Sequence, residues 1–279
     1  MIKPVLQDEA FLADAARARE DAEQLHIWWL GQSGYLLQWQ GWHLLIDPYL
    51  SDSLTKKYAG TDKPHVRMTE PVITPGKLGF VDAITSSHNH TDHLDAETLI
   101  PLMAANPNLK IVVGAANLRF AAERLRVDVG RLTPILADGP ELVMGPFTLW
   151  AIPSAHEKLD LDENGEPRCL GLIVQAGGRT IYHSGDCVPY QGLVERLRRW
   201  SIDAALLPIN GRDPARNVPG NFSAEEAALL GRDIGARLVI PCHYEMFEFN
   251  SVSPDGFVQA SERLGQGYRV LKCGEGMQL

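Results

Sequence analysis

The sequence predicts an α/β protein of the α+β type, in which two mixed β-sheets pack face to face with helices outside. Three observations lead there: short apolar runs follow one another near the N-terminus, helical and strand patterns alternate after them, and the same progression recurs in the second half. Asp8 to Leu25 carries Ala, Leu and Glu at helical spacing and reads as an N-terminal helix. His26 to Leu30, Tyr35 to Trp39 and His43 to Ile46 read as strands, with Gln40-Gly41 marking a tight hairpin between the last two. From Asp47 to Gly79 neither period persists, and so long a patternless stretch in a compact domain reads as a lid or binding loop. An apolar strand then ends near Thr85, a helix starts at about Asp95, and Lys110 to Val113 and Ala115 to Arg124 read as strand and helix. Further strands fall near Phe147 to Ile152, Leu170 to Gln175 and Thr180 to His183. A helix over Tyr190 to Trp200, a strand over Ala204 to Pro208, a helix from its N-cap Ser223 to Ile234, a strand over Leu238 to Ile240 and a helix over Pro254 to Leu264 complete the pattern. No internal linker divides the chain, so residues 1–279 are expected to form one domain.

Composition narrows the function. With 45% hydrophobic and 22% charged residues the chain is an ordinary globular protein able to bury a large core. A formal charge of −9 makes nucleic acid a poor partner, because the field opposes phosphate. Cys169, Cys187, Cys242 and Cys273 form no closely spaced pair, which fits reduced thiols and a cytoplasmic location. No stretch reaches the ~20 apolar residues of a membrane span, so no membrane anchor is expected. A small-molecule substrate is the expected partner, and assembly into a homo-oligomer stays open.

Chemistry concentrates at Ser86-Ser87-His88-Asn89-His90-Thr91-Asp92-His93, which places three imidazoles and a carboxylate within six residues after an apolar strand. In a locally extended chain, side chains two apart share a face, so His88 and His90 can meet on one ion while the turn directs Asp92 and His93 to a second. Burying four such groups without a cation would leave donors and acceptors unpaired.

This His-x-His-x-Asp-His motif after a buried strand resembles the signature of the metallo-β-lactamase superfamily. The resemblance implies a four-layer αβ/βα sandwich and three further ligands, matched by His156 in Ile152-Pro153-Ser154-Ala155-His156, Asp186 in Tyr182-His183-Ser184-Gly185-Asp186 and His243 in Ile240-Pro241-Cys242-His243. It implies a first site of His88, His90 and His156, a second of Asp92, His93 and His243, and Asp186 shared between them. Two divalent ions are expected, Zn or Mn first and Fe as an alternative, since a mixed N/O donor set does not choose among them. A hydroxide between the ions would be the nucleophile, with Asp186 holding the bridge and Asp92 or a metal-bound water managing the proton.

Within the superfamily, Trp28-Trp29-Leu30-Gly31, Leu45-Ile46-Asp47-Pro48 and the segments around Asp186 and His243 resemble the branch containing L-ascorbate-6-phosphate lactonase. That resemblance implies hydrolysis of a small, anionic lactone or ester, a phosphorylated sugar lactone among them. A phosphodiesterase on the same ligand set is the alternative, and a non-hydrolytic metal, redox or sensor module is the alternative of another class.

Supporting positions are open between two roles each. Asp47 orients a ligand histidine or simply forms an Asp-Pro turn. His183 is expected beneath the site as core or support rather than as a ligand, and Cys187 and Cys242 as small buried hydrophobes. Asn210, Arg212 and Arg216 lie in a loop between a strand and a capped helix, where the arginines either clamp an anion or are solvated. Tyr244 either donates to an oxyanion or packs as an aromatic. Lys56, Lys57, Lys63, His65 and Arg67 make the irregular segment a candidate anion-steering lid.

Overall fold

Uninterrupted apolar runs make strands that can be buried on both faces, and the protein places them in the middle of its layers. The computed structural model describes residues 1–213 and 220–279. Helix α1 (Asp8–Ala18) leads into a meander of β1 (His26–Gly31), β2 (Gly34–Trp39) and β3 (Trp42–Ile46), paired antiparallel. After the short helix α2 (Ser53–Tyr58), strands β4 (Ala83–Ser86), β5 (Lys110–Gly114) and β6 (Thr133–Ile135) join β3 in parallel. Parallel neighbours need crossovers, and α3 (Ala96–Ala105) and α4 (Leu118–Leu125) supply them.

The second sheet repeats this plan. Strands β7 (Leu142–Met144), β8 (Phe147–Pro153), β9 (Leu170–Ala176) and β10 (Arg179–His183) pair antiparallel, and β11 (Ala204–Pro208) and β12 (Leu238–Cys242) continue in parallel. Their crossovers carry α5 (Leu193–Leu197) and α6 (Ala224–Asp233). After α7 (Asp255–Leu264), β13 (Gly276–Gln278) returns to the first sheet beside β1. The sheet orders are β13-β1-β2-β3-β4-β5-β6 and β12-β11-β10-β9-β8-β7. One buried apolar cluster runs through both, from Leu36, Leu45 and Ile84 to Leu149, Ile173 and Leu206. The result is the metallo-β-lactamase fold, two mixed sheets with helices.

Several expected elements differ. The first helix stops at Ala18 rather than Leu25, because the Asp21 carboxylate accepts from the N–H groups of Glu23 and Gln24 and turns the chain. The stretch from Asp47 to Gly79 is not patternless: it holds α2 and a 3₁₀ turn at Pro75–Lys77. Tyr49 and Leu54 pack there with Met246 and Phe247 in a small core of their own. The helix expected over Tyr190 to Trp200 shrinks to α5, which follows Gly192 in the left-handed region. Strands β6, β7 and β13 have three residues each, too few to show a period.

The fold positions the site by strand ends. Asp47 follows β3, His88 to His93 follow β4, His156 follows β8, Asp186 follows β10 and His243 follows β12. Among the described residues, no helix is long and apolar enough to cross a membrane.

Candidate metal centre

The His-rich segment is a run of bends and turns, not an extended chain. The N–H groups of His93 and Leu94 both reach back to the His90 carbonyl, at 3.2 and 2.9 Å, before Asp95 caps α3 through the Glu97 N–H. His88 and His90 therefore meet through the bend, with ring centroids 4.6 Å apart, and not by sharing a strand face. Gly185 permits the approach of the Asp186 loop: its φ is +58°, and a Cβ there would lie 2.7 Å from the Leu170 carbonyl oxygen and 2.8 Å from Ser87 Cβ. His243 adopts φ 63° and is held by its N–H on the Gln32 carbonyl at 2.9 Å.

Two sets of ligand atoms result. One comprises His88, His90 and His156, the other Asp92, His93, Asp186 and His243, and within each set the atoms lie no more than 4.8 Å apart. Asp186 stands between them, with Oδ1 at 3.3 Å from His93 Nε2 and Oδ2 at 3.4 and 3.6 Å from Nε2 of His243 and His156. Surrounding acceptors decide which nitrogens face inward. Asp47 Oδ2 accepts from His93 Nδ1 at 2.6 Å, the Gly220 carbonyl accepts from His156 Nδ1 at 2.9 Å, and Ser87 Oγ, itself donating to Asp47, sits 3.0 Å from His88 Nδ1. In each ring Nε2 is left to the site, and in His88 and His93 it is buried without a hydrogen-bond partner. Such orphaned nitrogens fit a cation.

Electrostatics agree. Burial and the neighbouring His93 and His90 push His88 well below the ordinary imidazole range, and burial with His156 lowers His90, so both are neutral donors. Burial also opposes charge on His93 and His243, yet the carboxylates around them win. His93 is raised well above its usual value by Asp186, Asp92 and Asp47, and His243 to about 9, chiefly by Asp186. Reciprocally, despite burial, His93 and His243 hold Asp186 well below the usual carboxylate range. The carboxylates here demand positive charge, which divalent ions bound by these residues would supply.

The site opens into a cavity of about 350 Å³. Its wall includes Asp92, His156, Asp186 and His243, the amides of Gln32, Asn210, Asn221 and Asn250, and the rings of Tyr58 and Phe247. Asn221 donates to Asn210 at 2.9 Å and Asn210 to Asn250 at 3.0 Å, while Asn221 Oδ1 is buried without a hydrogen-bond partner among the described residues. Lys57 and His65 of the expected lid do line the cavity, whereas Lys56 is paired with Glu97 and Arg67 with Asp52.

Two expected substrate contacts are corrected. Tyr244 does not offer its hydroxyl to the site: it donates to the Leu271 carbonyl at 2.5 Å, and the ring lies 4.5 Å from that of Trp29. Arg212 does not line the cavity, because Glu226 takes its guanidinium in a fork at 2.5 and 2.8 Å. Arg216 lies outside the described residues. Asp47 does orient an imidazole, and His183 is a buried support that bridges the Ser33 carbonyl at 2.9 Å and the Gly185 N–H at 3.2 Å.

Sequence reasoning missed Gln32, whose Nε2 lies 2.8 Å from Asp92 Oδ2 and 3.1 Å from His243 Nε2. Its signal was there in Gly31-Gln32-Ser33-Gly34, a polar pair between glycines joining two fully buried strands. Asn221 and Asn250 were missed as well, since lone asparagines in loops carry no pattern.

Known proteins resemble the chain along most of its length. The Beta-lactamase superfamily domain matches residues 43–244. A metal-dependent hydrolase of Opitutus terrae is 30% identical over 264 residues, covering 91% of this chain and 100% of the relative. Among solved structures, an isothiocyanate hydrolase from Delia radicum gut bacteria superposes with a TM-score of 0.71 at 19% identity, covering 90% of this chain and 98% of the other. A metallo-beta-lactamase fold protein from Bacillus subtilis gives 0.66 at 18%, covering 92% and 100%.

Proposed function

Since the chain belongs to the beta-lactamase superfamily and is a metal-dependent hydrolase of that fold, we propose that it opens a small lactone or cleaves a small ester, sugar-derived lactones included. One observation carries this proposal: a set of three histidines and a mixed His/Asp set, both built from strand ends, lie at a single cavity of about 350 Å³, the size of a small-molecule site.

In this reading His88, His90 and His156 would hold one cation and Asp92, His93 and His243 the other, with Asp186 between the two sets. When bound, such cations lower the pKa of a coordinated water from 15.7 to roughly 7 and polarise a carbonyl oxygen. The chain's own part is orientation and charge. Asp47 and the Gly220 carbonyl fix the imidazoles of His93 and His156 with Nε2 inward. Asp92, on the cavity wall, is the carboxylate we assign to proton transfer toward the leaving oxygen. The amide side chains of Asn210, Asn221 and Asn250 on the cavity wall suit a substrate that carries hydroxyls, and Lys57 there suits an anionic substituent.

Protein purified without added ions is assayed for bound metal and then given D-glucono-1,5-lactone, δ-valerolactone, simple esters and bis(p-nitrophenyl) phosphate with Mn²⁺ or Zn²⁺. We expect metal-dependent hydrolysis of the lactones, fastest for the hydroxylated one. Turnover of the phosphodiester alone would replace this proposal with a phosphodiesterase, and a bound redox-active iron without hydrolysis would end it.

A further inference from the structure

We infer that Gln32 belongs to the second cation's coordination sphere, its amide oxygen joining the donors of Asp92, His93, Asp186 and His243. This rests on the metal-centre proposal above. Gln32 is 2% exposed and sits on the turn between β1 and β2. Its backbone is pinned to the site: its carbonyl accepts from the Trp29 indole at 3.0 Å and from the His243 N–H at 2.9 Å. Its φ of 51° is the left-handed conformation that sends the side chain back over the ligands. The amide head then stands 2.8 Å from Asp92 Oδ2 and 3.1 Å from His243 Nε2.

Those separations are the ones between neighbouring ligands. Two atoms each about 2.1 Å from a common ion and at right angles to one another are roughly 3 Å apart. An N–H at that position suits Asp92 while no cation is bound, but it would turn its positive end on one. Half a turn of the amide exchanges Nε2 for Oε1 with almost no change of shape and presents the negative end instead. A neutral, hard oxygen donor added to a His/Asp set raises the coordination number, and that favours Mn²⁺ or Fe²⁺ over tetrahedral Zn²⁺ at this site.

The test uses the full-length chain, stripped of metal and titrated by equilibrium dialysis with Mn²⁺ and separately with Zn²⁺, and by visible absorption with Co²⁺. Wild type is expected to take two Mn²⁺. Gln32→Met keeps the length of the side chain and should weaken the second Mn²⁺ at least about tenfold, weaken Zn²⁺ less, and intensify the Co²⁺ bands as the coordination number falls. Gln32→Glu keeps the shape and should tighten the second Mn²⁺. A Gln32→Met protein with the wild-type second constant and Co²⁺ spectrum would overturn the inference, as would a Gln32→Glu protein that binds no more tightly. Wild type that takes no second ion would sink the metal-centre proposal itself, an outcome the variants do not mimic.

Discussion

Asp47 shows how a carboxylate behind the candidate metal centre decides how its imidazoles are presented. It accepts from the Ser87 N–H at 2.7 Å, from Ser87 Oγ and from His93 Nδ1, so it sets the bend before the His-rich turn and the orientation of His93 together. Asp47→Ala should reduce metal affinity by about 10- to 100-fold, measured by dialysis against a chelator, with little change in circular dichroism. His90→Ala and Asp186→Ala should each abolish turnover while leaving the thermal transition of the protein within a few degrees; full activity in either would contradict the assigned roles. Arg212 carries the opposite expectation. Its fork on Glu226 is solvent-accessible, so Arg212→Ala should cost no more than about 1 kcal/mol in a urea titration and leave KM unchanged even for phosphorylated substrates. At this scale the candidate ligands His88, His90, Asp92 and His93 were legible because three imidazoles and a carboxylate crowd into six residues, and His156, Asp186 and His243 only through the family resemblance. The orientation of Tyr244 was not, because a tyrosine next to a proposed ligand can turn either way and only Leu271, 27 residues on, claims its hydroxyl.

Helix α6 shows what an element owes to its ends. Ser223 accepts from the Glu226 N–H at 3.2 Å, and the Glu226 side chain takes the Ser223 N–H at 2.8 Å, a reciprocal box that satisfies two donors the helix itself cannot. Ser223→Ala should cost about 1 kcal/mol, read as a lower urea midpoint with kcat unchanged once metal is bound. This cap was visible in Ser223-Ala224-Glu225-Glu226, because capping is a matter of residues three apart. Helix α1 was overextended for the complementary reason. Alanine and glutamate through position 23 keep helical propensity, whereas the Asp21 turn that ends the helix is a hydrogen-bond choice without a period. Short strands such as β13 depend on a distant partner, here β1, and cannot be read from three residues.

One buried histidine is expected to make the stability of the whole molecule depend on pH. His43 on β3 is 2% exposed against Phe80, and burial, with Arg19 nearby, lowers it from the usual 6.5 to about 4. Between those values the unfolded chain binds the proton and the folded chain does not, so stability falls as pH drops from 6.5 toward 4 and is unaffected above. His43→Gln should flatten that limb of a thermal-melt series from pH 4.5 to 7.5, by up to about 3 kcal/mol at its acid end; an unchanged slope would refute the assignment. The same scale separates what the sequence alone determined from what it did not. Apolar periodicity was enough to predict two mixed sheets with helices, and the His-x-His-x-Asp-His turn to single out His88, His90, Asp92 and His93, because burial and donor density are written locally; His156, Asp186 and His243 were named through the family resemblance. Only the tertiary structure decided that Gln32 reaches Asp92, that Asn221 donates to Asn210 on the cavity wall, and that Arg212 pairs with Glu226. Each is a contact between residues from different loops, and the pairing of loops is fixed by how the sheets pack rather than by any spacing along the chain.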